Sequence, residues 1–346
     1  MKHLFTILLT LFSFYASGYA QKPFKVVFYN LENFFDLEND PDVLDDEFTP
    51  EGPKKWTKDK YDKKLSNIEK VFFDIAAINK DYPAVIGVCE IENRNVLEDI
   101  VATKKLSPAN YRIVHYDSPE LRGVDAAFMY RPDVLKLEGS KAIRTVIPSL
   151  PDFKTRDIVT MWGKIDQEDF FFMVAHWPSR LGGKEASAFR RIAVGNQMRH
   201  IADSVRALRP STKVVMMGDF NDDPTDESIS GEKGIGAKIK VKEVTPADYY
   251  APFAALLKAG YGTLAYGDAW NIFDNIVVSG NLINEDKDQF KLKKADNSKF
   301  YGHIFKRHYM VQKEGQFKGY PLRTYVGNNF QGGFSDHFPV YIYIGK

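Results

Sequence analysis

The sequence predicts a single α/β domain in which two packed sheets are flanked by helices, a sandwich of four layers. Three observations predict it. Short apolar runs rich in Val, Ile, Phe and Met recur along the chain, as buried strands require. Two longer stretches carry apolar residues at three- and four-residue steps, the mark of amphipathic helices. The order strand, helix, strand occurs twice, with a polar residue closing each strand. Phe24–Tyr29 closes on Asn30 and Val85–Cys89 on Glu90; a later strand closes on His176 and Val214–Gly218 on Asp219. Two such units packed face to face, helices outside, bring all four polar ends to one edge.

The elements follow in chain order. Lys2 and His3 precede an apolar run, Leu4 to Tyr15, and small residues lead to Gly18-Tyr19-Ala20. This is a secretory signal over 1–20, so export to the periplasm or the medium is expected, with one domain over 21–346. The apolar run is shorter than the roughly 20 residues of a membrane-spanning helix. No other stretch approaches that length, so no integral membrane segment is expected after cleavage. Residues 36–60 read as a loop, acidic at first and then rich in Pro and Lys, without the ligand spacing of a calcium loop. Leu65, Ile68, Phe72 and Ile75 predict a helix over 59–79 that stops before Asp81-Tyr82-Pro83. A short helix near 96–102 precedes strands at 111–116, 125–130, 157–163 and 169–175. Val194, Met198, Ile201, Val205 and Leu208 mark a second long helix, ended by Pro210. A connection over 224–262, a strand Asn275–Ser279, a basic and aromatic stretch at 290–325 and a last strand Phe338–Ile344 complete the chain.

Composition narrows the function. The 346 residues are 44% hydrophobic and 27% charged, with a net charge of +1. Such a chain has a full core and no global attraction toward nucleic acid. Cys89 is the only cysteine, so no intrachain disulfide forms, and inside an apolar strand it reads as a small buried hydrophobe. HExxH, a cysteine cluster, a P-loop and GxSxG are all absent from the sequence.

What remains is a set of polar residues at strand ends: Asn30, Glu90, His176, Asp219, Asn221, Asp274, Asp336 and His337. Each alone reads as a turn residue. Carboxylates closing core strands are costly without a cation or donors to meet. Carboxylates with Asn oxygens suit a hard cation such as Mg²⁺, with Mn²⁺ and Ca²⁺ as alternatives. Two histidines suit proton transfer or stabilisation of an anionic leaving group. The chemistry that uses both is phosphate-ester hydrolysis.

Read as motifs, Tyr29-Asn30-Leu31-Glu32-Asn33, Val88-Cys89-Glu90, Ala175-His176-Trp177-Pro178, Gly218-Asp219-Phe220-Asn221, Asp274-Asn275-Ile276-Val277 and Ser335-Asp336-His337 resemble the endonuclease/exonuclease/phosphatase superfamily of pancreatic-deoxyribonuclease-like, metal-dependent phosphohydrolases. The resemblance covers essentially the whole mature chain, and NLEN-FFD, EFTPEG and HWPSR resemble its exported bacterial members. It implies two packed mixed sheets and a metal held by Glu90, with Asn30 and Asp336 helping. It implies that Asp219 and Asn221 position water, that His337 is held by Asp274 or Asp336 against the scissile phosphate, and that His176 stabilises charge on the phosphoryl or leaving oxygen. The general base is left open between a His and an Asp. Arg156 resembles an arginine that braces the site, Arg180 is placed to reach a distal phosphate, and Asp125 to hold His176 in one tautomer.

The expected activity is hydrolysis of phosphodiesters by in-line water attack, an endonuclease first. A phosphomonoesterase or phospholipid phosphodiesterase is the alternative. A catalytically inactive binding module on the same scaffold is the rival class, and it predicts losses among the eight strand-end residues that the sequence does not show. The stretches 36–60, 224–262 and 290–325 are expected to form the rim that selects substrate. The last could stack bases and hold phosphates, although a twisted hairpin with exposed Lys accounts for it as well. A phosphate ester, nucleic acid included, is the expected partner, acted on by a monomer.

Overall fold

The structure, a computed structural model, describes residues 22–283 and 288–346. The expected leader at 1–20 lies outside the described residues. The first sheet has seven strands: β1 (Phe24–Phe34), β2 (Val85–Ile91), β3 (Arg112–His115), β4 (Asp125–Tyr130), β13 (Lys291–Lys293), β14 (Gly302–Ile304) and β17 (Val340–Gly345). They run in the order β13–β17–β1–β2–β4–β3, and β14 also pairs with β17. The second sheet orders β5 (Leu135–Ile143), β6 (Ile158–Ile165), β7 (Glu168–His176), β8 (Lys213–Asp219), β12 (Asp274–Ser279) and β9 (Tyr249–Tyr250). Two small hairpins stand apart, β10–β11 (Leu264–Tyr266, Ala269–Asn271) and β15–β16 (Tyr325–Val326, Asn329–Phe330).

Each sheet is mixed. β1 pairs parallel with β2, and β7 parallel with β8; the other pairs are antiparallel. A parallel pair needs a crossover, and here each crossover contains a long helix: α1 (Lys58–Ala77) between β1 and β2, and α3 (Lys184–Leu208) between β7 and β8. The period of two along a strand sorts the core into layers. Val26, Phe28, Val85 and Phe128 meet Phe172, Val174, Val215 and Met217 between the sheets. Val27, Tyr29, Ile86 and Val88 turn the other way, onto α1 and the short α2 (Arg94–Ala102). Met173, Val214 and Met216 pack on Val194, Met198 and Ala202 of α3. The sheets close tightly over Gly87, where a Cβ would lie 2.5 Å from the Met217 sulfur. Cys89 is fully buried in this interior, and burial pushes its thiol well above the ordinary range.

Two expectations change. α3 starts at Lys184, well before the apolar pattern begins, because its first turns bury Ser187 and Arg191 rather than apolar groups. β5 was not anticipated; it is an edge strand of mixed, half-exposed residues with no clean alternation. The 224–262 connection holds β9, two short helices, α4 (Glu227–Ser230) and α5 (Ala254–Lys258), and one 3-10 turn at Val241–Glu243. Among the described residues no helix is long and apolar enough to cross a membrane.

Candidate active site

The four strands β1, β2, β7 and β8 end at one edge of the sandwich. His176 lies opposite Asp219 in register, and Asp274 flanks Asp219 on its other side. The backbone there is irregular. The β1–β2 register slips between Asn30 and Phe34, and the β2–β4 register between Cys89 and Ile91. Glu32, Asn33, Glu90 and Asn221 have φ of 51°, 48°, 59° and 51°. Left-handed non-glycine residues cost about 1–3 kcal/mol each and persist only where surrounding contacts hold them. Here those contacts involve the site's own side chains. Glu90 accepts from the Asn33 N–H (2.9 Å), and Asp219 accepts from the Asn221 N–H (2.9 Å).

Asn30 joins the sheets. Its amide donates to Glu90 (3.3 Å) and to Asp219 (3.0 Å), and its oxygen accepts from the Glu32 N–H (2.9 Å). So placed, it bridges the two carboxylates across the sheets. Asn221 likewise donates to the Trp177 carbonyl (3.0 Å), and Trp177 stacks on Phe220 at 4.1 Å. His337 is held by Asp274, Nδ1 to Oδ2 at 2.7 Å. Its Nε2 faces Asp219 and Asp336, each at 3.8 Å, so of the two carboxylates expected to hold the ring it is Asp274 that does. Ser335 fixes the loop, donating to the Asn30 carbonyl (2.7 Å) and accepting from the His337 N–H (3.1 Å).

His176 Nε2 stands 3.6 Å from Asp219 and 3.9 Å from Glu90, while its buried Nδ1 has no partner. Asp125 does not hold it. That carboxylate engages His115 (3.0 Å) and the Ser118 N–H (3.0 Å) instead. Arg156 is buried nearby, 3.7 Å from Glu120 with its Nε unpaired. Arg180 is not free to reach a phosphate. Its guanidinium donates to the Asn221 carbonyl (2.8 Å), contacts Asp222, Asp223 and Asp226 at 3.2, 3.6 and 3.0 Å, and lies over Phe273. It braces the loop after β8.

Sequence reasoning missed three features. Arg191 is fully buried and pairs with Asp222 at 2.8 Å. Lys64, equally buried, bonds the Glu32 and Phe334 carbonyls and Thr324. His115, Asp117 and Asp125 each place a ligand atom within 4.8 Å of the others. A polar residue at an inward position of a helix is the only signal that could have shown the first two.

The two histidines are held in opposite states. Burial, reinforced by Arg156, keeps His176 well below its usual range, hence neutral. Burial also works against a charged His337, but Asp274 and Asp219 outweigh it and hold the ring well above its usual range. Burial, with Asp274 and Glu90 adding to it against the pull of His337, raises Asp219 to about 7. Glu90, Asp219, Asp274 and Asp336 thus crowd one edge, with His337 against Asp274 and Asp219, Arg323 against Asp336, and the buried Arg156 nearby. Such an all-oxygen, acid-rich set fits a hard divalent cation.

Comparison with known proteins agrees in fold. A family model described as Endonuclease/Exonuclease/phosphatase family matches residues 25–346. Among solved structures, a mannosyl-6-phosphatase of Bacteroides thetaiotaomicron, Bt3783, superposes with TM-score 0.55 at 17% identity, covering 93% of this chain and 100% of that one. A further family protein from the same organism gives TM-score 0.55 at 18% identity, covering 93% and 94%. D. rerio TDP2 complexed with single strand DNA product gives 0.53 at 13%, covering 94% and 100%. No curated protein matches.

Proposed function

The chain belongs to the endonuclease/exonuclease/phosphatase family, whose members are metal-dependent phosphoester hydrolases, and from that premise we propose that it hydrolyses small phosphate esters by direct in-line attack of water. The observation that carries this reading is the Asp274–His337–Asp219 alignment beside Glu90. It joins a charged histidine, a carboxylate raised to about 7 and an oxygen ligand set at one edge.

Roles follow from the geometry. A divalent cation held by Glu90 and Asp336 would draw charge from the phosphoryl oxygens. His337, fixed by Asp274 and held above its usual range by Asp274 and Asp219 against its burial, is placed to donate to a phosphoryl oxygen. Asp219, between Asn30 and His337, is placed to take the proton from water. Neutral His176 hydrogen-bonds the transferring group without adding charge. Asn30 keeps Glu90 and Asp219 at their separation, and Arg180 keeps the Asp219–Asn221 turn in place.

The finer expectation of an endonuclease has less support. The basic and aromatic stretch that suggested base stacking is largely used in packing: Phe305 and Met310 lie in the core, His303 stacks on Tyr341, and Lys306 covers Trp270 and Phe338. Neighbours of the same fold divide between the two readings, one named a mannosyl-6-phosphatase and one seen with a DNA product. The leader-like residues 1–20 support export.

The test is hydrolysis of p-nitrophenyl phosphate, bis(p-nitrophenyl) phosphate and plasmid DNA with Mg²⁺, against EDTA. EDTA-sensitive monoester cleavage with DNA intact is expected. DNA cleavage as the dominant activity would restore the endonuclease, and hydrolysis surviving both Asp219→Ala and His337→Ala would overturn the site.

A further inference from the structure

A second cavity opens beside the catalytic edge, on the side of Asp336. It has a volume of about 240 Å³ and is lined by Glu32, Phe48, Lys54, Arg323, Tyr325 and Asp336, among others. Two of the stretches expected to form the rim meet here: the 36–60 loop supplies Phe48 and Lys54, and the late stretch supplies Arg323. Asp336 connects the cavity to the chemistry, since its Oδ1 lies 3.8 Å from His337 Nε2.

Charge, surface and size each limit what this cavity accepts. Its charges are already matched: Lys54 with Glu47 at 3.1 Å, Arg323 with Asp336 at 3.5 Å, and Glu32 with the buried Lys64 at 3.9 Å. Two carboxylates, Glu32 and Asp336, face two cations, Lys54 and Arg323, so the lining has no excess positive charge to attract a second phosphate and suits a neutral occupant. Its aromatic faces are largely taken. Phe48 stacks on Phe35 at 4.5 Å, and the Lys54 ammonium lies over both Phe48 and Tyr325, at 5.7 and 5.3 Å. Phe48 and Tyr325 stand at 89° to each other, so they form no parallel slot for a base. What the walls do offer is hydrogen bonding of both kinds, from carboxylate acceptors and from ammonium and guanidinium donors. The volume lies below the roughly 300–1,000 Å³ of pockets for drug-sized ligands, enough for one small ring.

We propose that this cavity is the leaving-group subsite and that it takes a single neutral polyhydroxylated ring, so that the substrate is a sugar phosphate. The inference rests on the phosphoesterase reading for its chemistry and on the cavity for its specificity. In the reaction, the water oxygen bonds to phosphorus and its proton passes to Asp219. The ester P–O bond breaks with its electron pair going to the sugar oxygen, which takes a proton from solvent water, and Asp219 later returns its proton to solvent.

The test uses the purified full chain in two assays. In the first, with Mg²⁺, kcat/KM is measured for hexose 1- and 6-phosphates, 5′-nucleotides, ethyl phosphate and p-nitrophenyl phosphate. At least one hexose phosphate should exceed the nucleotides and ethyl phosphate by a hundredfold or more. Arg323→Leu, at a half-buried position, should raise the KM for that hexose phosphate tenfold or more, with kcat changed less than threefold. In the second, calorimetry without metal measures binding of the same hexose phosphates, which Arg323→Leu should weaken similarly. Hydrolysis of p-nitrophenyl phosphate with no hexose preference overturns the subsite and leaves the phosphoesterase reading intact. Absence of any hydrolysis overturns the phosphoesterase reading; hexose-phosphate binding sensitive to Arg323 would then still support the cavity, and no binding would sink it as well.

Discussion

The two edges of the sandwich both bury charge, and they treat it differently. At the edge where β1 and β8 begin, Lys25 and Lys213 are buried and individually satisfied. Lys213 pairs with Glu168 at 3.0 Å and bonds Gln289 at 3.2 Å; Lys25 bonds Asn79 and the carbonyls of Asp81 and Ala76 at the end of α1. At the edge where those strands end, like charges gather. Asp219, Asp274 and Asp336 crowd around His337 with Glu90 beside them at His176, buried atoms of His176, Asp274 and Arg156 have no partner, and three of the turns are left-handed. The first edge behaves as structure, with every charge answered by a neighbour. The second holds an arrangement that costs stability and becomes useful when an ion and a phosphate complete it.

The largest expected effect breaks the catalytic edge alone. Asp219→Asn or His337→Gln should lower kcat about a thousandfold, within the range for loss of a general acid or base, while circular dichroism stays unchanged. Loss of less than tenfold for both would mean that the crowded carboxylates are structural after all. Next in size is the converse. Lys213→Met leaves Glu168 short of its closest cation and should cost roughly 2 kcal/mol in urea unfolding, with kcat/KM unaltered. A fall in activity parallel to stability would erase the distinction between the edges.

A smaller effect sharpens it. Above pH 7 the buried Asp219 carboxylate is charged against Asp274 and Glu90. In metal-free protein at pH 8, Asp219→Asn should therefore stabilise by about 1 kcal/mol, the scale of other stabilising substitutions at functional sites, although it removes activity. Thermal unfolding in EDTA measures this, and a destabilised Asp219→Asn would show that the edge is not strained by charge.

Much of this contrast was legible in the sequence, and for a physical reason. A polar residue closing an apolar strand reports both the strand's end and its edge, so the sequence alone places Asn30, Glu90, His176 and Asp219 together. The alternation that makes β1 and β8 readable fails for β5, whose two faces are equally half-exposed. Helix periodicity fails for the start of α3, where Arg191 is buried but looks like a surface residue. Side-chain direction was out of reach as well. That Asn30 turns its amide to two carboxylates, that Arg180 is taken by Asp222, Asp223 and Asp226, and that Asp125 serves His115 depend on contacts between segments far apart in the chain. The cavity beside Asp336 is of the same kind, since its walls come from stretches with no pattern of their own.

The smallest effect is a pH dependence, and its sign differs between the edges. At and near the catalytic edge, burial raises Glu32 and Asp219 to about 7 and Glu92 to about 8. Between their unfolded values near 4–4.5 and these folded values, the folded protein holds more protons than the unfolded chain. Stability is then fully present at low pH and lost as pH rises through 7 to 8. Lys25 at the opposite edge is lowered to about 8, chiefly by burial. Between pH 8 and its unfolded value near 10.5, the unfolded chain binds more protons, so this group adds stability as pH rises. The melting temperature of metal-free protein should therefore fall from pH 5 to 8 and level off or recover above it. Mg²⁺ should flatten the fall, because an ion at the catalytic edge favours the charged carboxylates, and Lys25→Met should remove the recovery. A profile that Mg²⁺ leaves unchanged would separate these carboxylates from the ion and return them to the ordinary, individually satisfied charge of the other edge.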